Sequence, residues 1–106
     1  MAVIVFDAST LILLAKTDLA RDVLSLFKGE IPGSVYEEAT VKDTIDAKAI
    51  KQLVTENHLK VCKDPSDREV KQIMKDFSVN RGEAAAFILA QHKEAILATD
   101  DRLAIK

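Results

Sequence analysis

The sequence contains few of the residues that build disulfide frameworks, stacking surfaces or flexible tracts. Its 106 residues include one cysteine, no tryptophan, three glycines and two prolines. A single cysteine cannot form an internal disulfide, so we expect a reducing, cytoplasmic location. Aromatic residues make up only 5% of the chain, which disfavours base stacking on surface rings as the main binding mode. No uncharged run is long enough to span a bilayer, so we expect no contact with a membrane.

The composition that remains is typical of one globular domain with an aliphatic core. Apolar residues make up 48% of the sequence, which is too high a fraction for a disordered chain. The formal net charge is −2, and this argues weakly against non-specific binding to a long polyanion. The first apolar stretch contains Asp7 and runs into Lys16, so it does not resemble a signal peptide.

Apolar, β-branched runs alternate with stretches of helical periodicity. The run at 2–6 predicts a strand buried on both faces, and further strands are predicted at 30–33, 59–62 and 95–99. Helices are predicted at 10–16, from 18, from 35, at 46–57, from 66, from 80 and from 99 or 100. This alternation indicates an α/β fold, with a small parallel sheet of about four strands flanked by helices.

Short polar residues before apolar stretches predict where the helices begin. Ser9 and Asp18 are predicted caps, and Asn80 opens the Ala-rich helix. The body of that helix, at 84–90, is nearly apolar all round, which predicts that it is deeply packed. Ser34–Glu37 and Ser66–Glu69 match the capping box, in which a hydroxyl and an acid three residues later satisfy two backbone donors. The helix after Asp18 is predicted to bury one face, which carries Leu19, Val23, Leu26 and Phe27.

Acidic residues fall at several places that share one edge of such a sheet. Asp7 follows the first strand directly, and Asp100 and Asp101 follow the last. Glu38 and Glu83 are predicted in the first turns of helices that begin at the same edge, because helices in a parallel α/β fold run antiparallel to the strands. Clustered carboxylates repel one another unless a cation neutralises them. Such oxygen ligands suit Mg²⁺ or Mn²⁺, and a site of this kind fits phosphodiester hydrolysis.

Each acid also has a purely structural interpretation. Glu38 and Glu83 favour the positive end of a helix dipole, as do Asp100 and Asp101. Asp7 could cap the helix that follows it, and taken alone this is its preferred interpretation; however, Ser9 can also cap that helix, so an acid at position 7 is not required for capping. The interpretation of these acids as a functional site therefore depends on their convergence, from distant parts of the sequence, on one edge of the sheet.

The order and spacing of four short motifs resemble the PIN-domain family, a nuclease fold found in many prokaryotic toxins of toxin–antitoxin pairs. The motifs are Val5-Phe6-Asp7-Ala8-Ser9, Val35-Tyr36-Glu37-Glu38-Ala39, Arg81-Gly82-Glu83-Ala84 and Leu97-Ala98-Thr99-Asp100-Asp101-Arg102. Each motif is short, and together they span nearly the whole chain.

The resemblance implies metal-dependent hydrolysis of RNA with Mg²⁺ or Mn²⁺ as cofactor. It places the catalytic and metal-binding acids at Asp7, Glu38, Glu83 and Asp100, with Asp101 as the rival for the fourth place. Ser9 and Thr99 match hydroxyl positions that support those carboxylates. By the same resemblance we expect an RNA substrate, an antitoxin protein as a partner and a homodimer.

One departure from the family pattern leads to a further expectation. PIN domains usually continue past the fourth acid through a full helix and a fifth strand, so residues 1–106 are expected to be a single PIN-like domain without its C-terminal strand. The main alternative is a catalytically inactive PIN-like module that binds an antitoxin or another protein. A haloacid-dehalogenase-like phosphatase is disfavoured because Ser9 stands where that chemistry needs a second Asp. A receiver domain is disfavoured because Lys63 follows the strand that ends at Cys62.

Overall fold

The computed structural model describes residues 2–99, which form four strands and six helices. The strands are β1 (Val3–Phe6), β2 (Lys28–Pro32), β3 (Leu59–Cys62) and β4 (Ile96–Ala98). The helices are α1 (Ala8–Ala15), α2 (Ala20–Leu26), α3 (Gly33–Thr40), α4 (Ile45–Thr55), α5 (Asp67–Phe77) and α6 (Arg81–Lys93). None of the helices within 2–99 is both long and apolar enough to cross a membrane.

The four strands form one parallel sheet in the order β3-β2-β1-β4. Strand β1 lies inside the sheet, where Ile4 is level with Gly29 on one side and with Ile96 on the other. A strand with neighbours on both sides and helices on both faces has no solvated face, which explains the unbroken apolar run at the start of the sequence. The predicted α/β class with a four-stranded parallel sheet is confirmed.

Helix α6 is the most deeply buried helix of the described chain. Its small residues Ala84, Ala85 and Ala86 are fully buried, and Ile88 is 2% exposed. The helix packs against β1, β2, α3 and α5, and small side chains let these neighbours approach its backbone closely. The prediction of a deeply packed helix, based on its apolar character all round, is confirmed.

Three of the predicted helix caps are wrong, and two are right. Helix α1 begins before Ser9, with Asp7 as its cap, and α2 is preceded by Leu19 with no capping side chain. Helix α3 begins at Gly33, so Ser34 lies inside it and forms no capping box. Ser66 caps α5 as predicted: its hydroxyl oxygen accepts the Glu69 N–H at 3.3 Å, and the hydroxyl donates to Glu69 Oε1 at 3.1 Å. Asn80 caps α6 as predicted.

The predicted buried face of α2 is wrong in part. The helix begins at Ala20, one residue later than a cap at Asp18 would place it, and its buried residues are Ala20 and Leu24. Leu19 and Leu26, which were predicted to be buried, are 59% and 69% exposed. Residues three and four apart share a face of a helix, so the buried face is marked by Ala20 and Leu24, with Val23 and Phe27 partly buried beside them.

Candidate functional site

Asp7 lies at the carboxyl end of the central strand β1 and is 3% exposed. Its Oδ1 accepts a hydrogen bond from the backbone N–H of Thr10 at 2.9 Å and lies 3.5 Å from the Ser9 hydroxyl, which donates to it. Its Oδ2 accepts from the Thr99 hydroxyl. Asp7 is therefore the N-cap of α1, as its structural interpretation predicted, and the prediction that Ser9 caps this helix is wrong. The backbone at Asp7 is extended and turns helical at Ala8, which leaves Asp7 as the last residue able to cap.

The two hydroxyl residues predicted to support the acids both lie on Asp7. Thr99 reaches it because β4 pairs with β1, and the Asp7 N–H donates to the carbonyl of Ala98 at 3.3 Å. Ser9 reaches it because the first turn of α1 folds back over the end of β1. The structure thus surrounds one buried carboxylate with three donors from two distant segments. These bonds fix the orientation of the carboxylate.

Glu38 and Glu83 come from two helices that pack together. Glu38 lies in the second turn of α3, not in the first turn as predicted, because α3 begins at Gly33. Its exposed carboxylate lies over the start of α6, where a Cβ built on Gly82 would be 2.9 Å from Glu38 Oε1. Glu83 is in the first turn of α6, as predicted, and its N–H donates to Asn80 Oδ1 at 2.8 Å. The structure therefore brings Glu38 to the helix start that carries Glu83.

Asp100 and Asp101 lie outside the described residues. Within 2–99 no group of three or more His, Cys, Asp or Glu side chains is placed so that it could hold a metal ion. The donors that are present are nevertheless of the right chemical kind. Asp7, Glu38 and Glu83 offer only carboxylate oxygens, which are the ligands that Mg²⁺ and Mn²⁺ prefer. Of the four lone pairs of the Asp7 carboxylate, two on Oδ1 and one on Oδ2 accept hydrogen bonds, which leaves one on Oδ2 for a cation.

Asp64 is a further acid on the carboxyl side of the sheet that the sequence reasoning did not select. It follows β3 by two residues and accepts hydrogen bonds from the backbone N–H of Ser34 at 3.0 Å and from the Ser34 hydroxyl at 3.1 Å. The sequence signal was only an Asp before Pro65, which is typical of a turn. Its partner lies 30 residues away, so no local pattern could reveal the contact.

A buried charged cluster lies below α6, on β2 and β3. Glu30 is 2% exposed and accepts hydrogen bonds from Lys93 and, at 3.1 Å, from the Cys62 thiol. Burial alone raises the pKa of Glu30, but the hydrogen bonds from Lys93 and Cys62 and the nearby charge of Lys60 hold it below its ordinary value. The bond to Glu30 raises the pKa of Lys93. Burial raises the pKa of the Cys62 thiol, which makes it a poor nucleophile.

Comparison with known proteins agrees with the fold. The model of the family DUF3368, described as a PIN domain, matches residues 3–106. The crystal structure of PAE2754 from Pyrobaculum aerophilum is similar, with a TM-score of 0.68 and 25% sequence identity over 96% of this chain and 84% of that one. No curated protein sequence matches this chain at a significant level.

PIN domains are generally nucleases, and they typically use divalent metal ions. The match extends over nearly the whole sequence, and the parallel sheet, with Asp7 at the end of its first strand, is the arrangement expected from the motifs. This chain therefore belongs to the PIN-domain family.

Proposed function

We propose that this protein is a metal-dependent endoribonuclease that hydrolyses RNA phosphodiester bonds with Mg²⁺ or Mn²⁺. The observation that carries the proposal is the buried carboxylate of Asp7, held by Thr10, Ser9 and Thr99 at the carboxyl end of the central strand. An acid that served only as a helix cap needs one backbone donor. The two additional hydroxyl donors hold the whole carboxylate in one orientation, which is what a metal ligand requires.

The remaining acids complete the proposed site. Asp7 and Asp100 would bind the metal directly, with Asp101 as the alternative to Asp100. Glu38 and Glu83 would reach it from the junction of α3 and α6, directly or through water. The bound cation would activate the attacking water and neutralise charge on the phosphate and on the leaving oxygen. Ser9 and Thr99 would hold Asp7 in its binding orientation.

The test is cleavage of RNA by wild-type protein and by the Asp7→Asn variant. Asn is as good a cap as Asp, and its side-chain oxygen accepts the Thr10 N–H in the same geometry, so the fold should persist. The loss of one carboxylate charge should lower cleavage by at least about 100-fold, because metal ligands and their supports each have large effects. Asp43→Asn is the matched control, since Asp43 is an exposed acid that pairs with Lys48 at 3.7 Å and is not among the proposed site residues.

We expect cleavage with Mn²⁺ or Mg²⁺ that is lost in EDTA and in Asp7→Asn and is retained in Asp43→Asn. Activity retained in Asp7→Asn would sink the proposed metal site. Folded wild-type protein that fails to cleave RNA with either metal would favour the alternative, an inactive PIN-like module that binds a protein partner. Circular dichroism and thermal unfolding of each variant establish that the comparison is between folded proteins.

We also propose a biological setting, which follows from the family and from the single thiol. The protein would act in the cytoplasm as the toxin of a toxin–antitoxin pair, as a homodimer that an antitoxin protein inhibits. Light scattering of the purified protein measures the oligomeric state. Expression of the wild-type chain and of Asp7→Asn in growing bacteria tests toxicity, and only the wild-type chain should arrest growth.

A further inference from the structure

Helix α3 lacks a capping side chain of its own. The residue before it is Pro32, whose side chain accepts no hydrogen bond, so the first N–H groups of the helix have no local acceptor. Asp64, in the segment that follows β3, supplies the acceptor. Its Oδ1 binds both the N–H and the hydroxyl of Ser34, and it lies 3.8 Å from a Cβ built on Gly33.

This long-range cap follows from the register of the sheet. Pro32 is level with Cys62 in neighbouring strands, so the residues that follow the two strands leave the sheet side by side. Asp64 lies outside helix and strand, and Pro65 disfavours helical backbone there. The Asp64 carboxylate lies at the first turn of α3 and takes the place of a side chain from the residue before the helix.

The helix that Asp64 holds is short, and one of the proposed acids lies on it. An isolated helix of eight residues has little stability of its own, so its position depends on its contacts. Glu38 is four residues after Ser34, about 6 Å along the axis. Val35 and Ala39 are buried on the side of α3 that meets its neighbours, and Glu38 Oε1 lies beside Gly82 on α6. The hydrogen bonds between Asp64 and Ser34 therefore determine where along α6 the Glu38 carboxylate lies.

We propose that Asp64 is a positioning residue for the Glu38 carboxylate and thereby for metal binding. This rests on the proposed function, because Glu38 must be one of the metal-binding acids. Asp64 itself need not touch metal or RNA in this proposal. It acts through the Ser34 hydrogen bonds, which fix α3 against the sheet and against α6.

The experiment compares Asp64→Ala with Asp64→Asn in the full chain. Asn keeps a side-chain oxygen that can accept both Ser34 bonds, whereas Ala removes them. Thr44→Ala is the matched control, because Thr44 caps α4 through the N–H of Ala47 at 3.1 Å and α4 carries none of the proposed acids. Three quantities are measured for each protein: Mn²⁺ affinity by calorimetric titration, RNA cleavage against Mn²⁺ concentration, and amide hydrogen exchange in α3.

We expect Asp64→Ala to weaken Mn²⁺ binding by about 10-fold or more, in the range found when residues that support metal ligands are removed. Cleavage should require correspondingly more Mn²⁺, and exchange in α3 should accelerate more than in the rest of the molecule. Asp64→Asn should restore all three quantities. Thr44→Ala should lower stability as a lost cap does and leave Mn²⁺ affinity unchanged.

Equal losses of Mn²⁺ affinity in Asp64→Ala and Thr44→Ala would overturn the proposal, because the effect would then follow stability alone. Unchanged hydrogen exchange in α3 of Asp64→Ala would overturn it as well. If the wild-type protein is active, an Asp64→Ala variant with the same Mn²⁺ affinity as wild type would also overturn it. A folded wild-type protein that neither binds Mn²⁺ nor cleaves RNA refutes the proposed function itself. That result is separate from the others, and it overturns the positioning role together with the function.

Discussion

Substitution of Gly82 by alanine separates the stability of α6 from the geometry of the proposed site. Gly82 has ordinary negative φ, so its backbone accepts alanine without strain. Alanine is favoured over glycine in a helix by up to about 1 kcal/mol, with less at the first turn. The added methyl group would lie 2.9 Å from Glu38 Oε1, whereas ordinary contact begins at 3.4 Å. The Glu38 carboxylate must therefore move by about 0.5 Å (3.4 − 2.9) or more.

A displacement of this size matters in an active site, although it costs the fold little. The atom that must move is the far end of a flexible, exposed side chain, so rotation of Glu38 relieves the contact. Misplacement of a catalytic group by about 1 Å can lower the rate about 100-fold. We therefore expect Gly82→Ala to unfold at the wild-type temperature or a few degrees higher, while RNA cleavage falls by about 10- to 100-fold.

The chain supplies a matched control at Gly33, in the first turn of α3. A Cβ there would meet only Asp64 Oδ1 at 3.8 Å and the Cys62 carbonyl at 3.9 Å, which are ordinary contacts. Gly33→Ala should therefore match the stability gain and keep wild-type cleavage. Denaturant unfolding and initial rates at saturating Mn²⁺ measure the two quantities. Full cleavage by Gly82→Ala would refute the assignment of Glu38 to the site. A loss of both stability and activity would refute the inference that the Glu38 side chain can rotate away from the added methyl group at little cost.

Two further predictions concern the buried pair of Glu30 and Lys93. Lys93→Met leaves Glu30 buried without its cation and should lower the free energy of unfolding by about 2–3 kcal/mol. This is somewhat less than for a fully buried pair, because the Lys93 side chain is one-third exposed. As a control, Lys71→Met removes an exposed lysine and should unfold in urea like the wild-type protein. The second prediction is a pH dependence. The pKa of Glu30 in the folded protein is below its ordinary value of 4.5. The ionised Glu30 therefore adds to the free energy of unfolding above pH 4.5, and this stabilisation is lost as the pH falls through the folded-state pKa. In Lys93→Met burial prevails and raises that pKa, so mild acidification should stabilise this variant; urea titrations that show the same pH slope in both proteins would contradict the assignment.

The parallel sheet could be predicted from sequence because its central strand is determined locally. Val3–Phe6 has no polar residue, and only a strand covered on both faces accommodates such a run. The Ala-rich body of α6 likewise predicted its own burial. Asp7 is the residue directly after Val3–Phe6, so its placement at the carboxyl end of β1 followed without knowing which strands are neighbours in the sheet.

The contacts that complete the site could not be predicted, because they join segments distant in sequence. A capping side chain is chosen by backbone geometry at one residue, so Asp7 and Ser9 were both candidate caps, and the prediction of Ser9 is wrong. Helix α3 showed a convincing capping box and takes its cap from Asp64, 30 residues away. The approach of Glu38 to Gly82 depends on how α3 packs on α6. No residue pattern within either helix encodes that packing.

The pairing of β1 with β4 has a consequence for the protein during its synthesis. The hydroxyl that holds the second oxygen of Asp7 belongs to Thr99, 92 residues further along the chain. Strand β1 emerges from the ribosome first, yet its neighbour on one side does not exist until residues 96–98 have been made. Contacts of such long range form late, because the loop they close is costly in entropy. A ribosome-bound chain therefore carries Asp7 long before Thr99 can hold its second carboxylate oxygen, and the proposed nuclease should be inactive until β4 has joined the sheet.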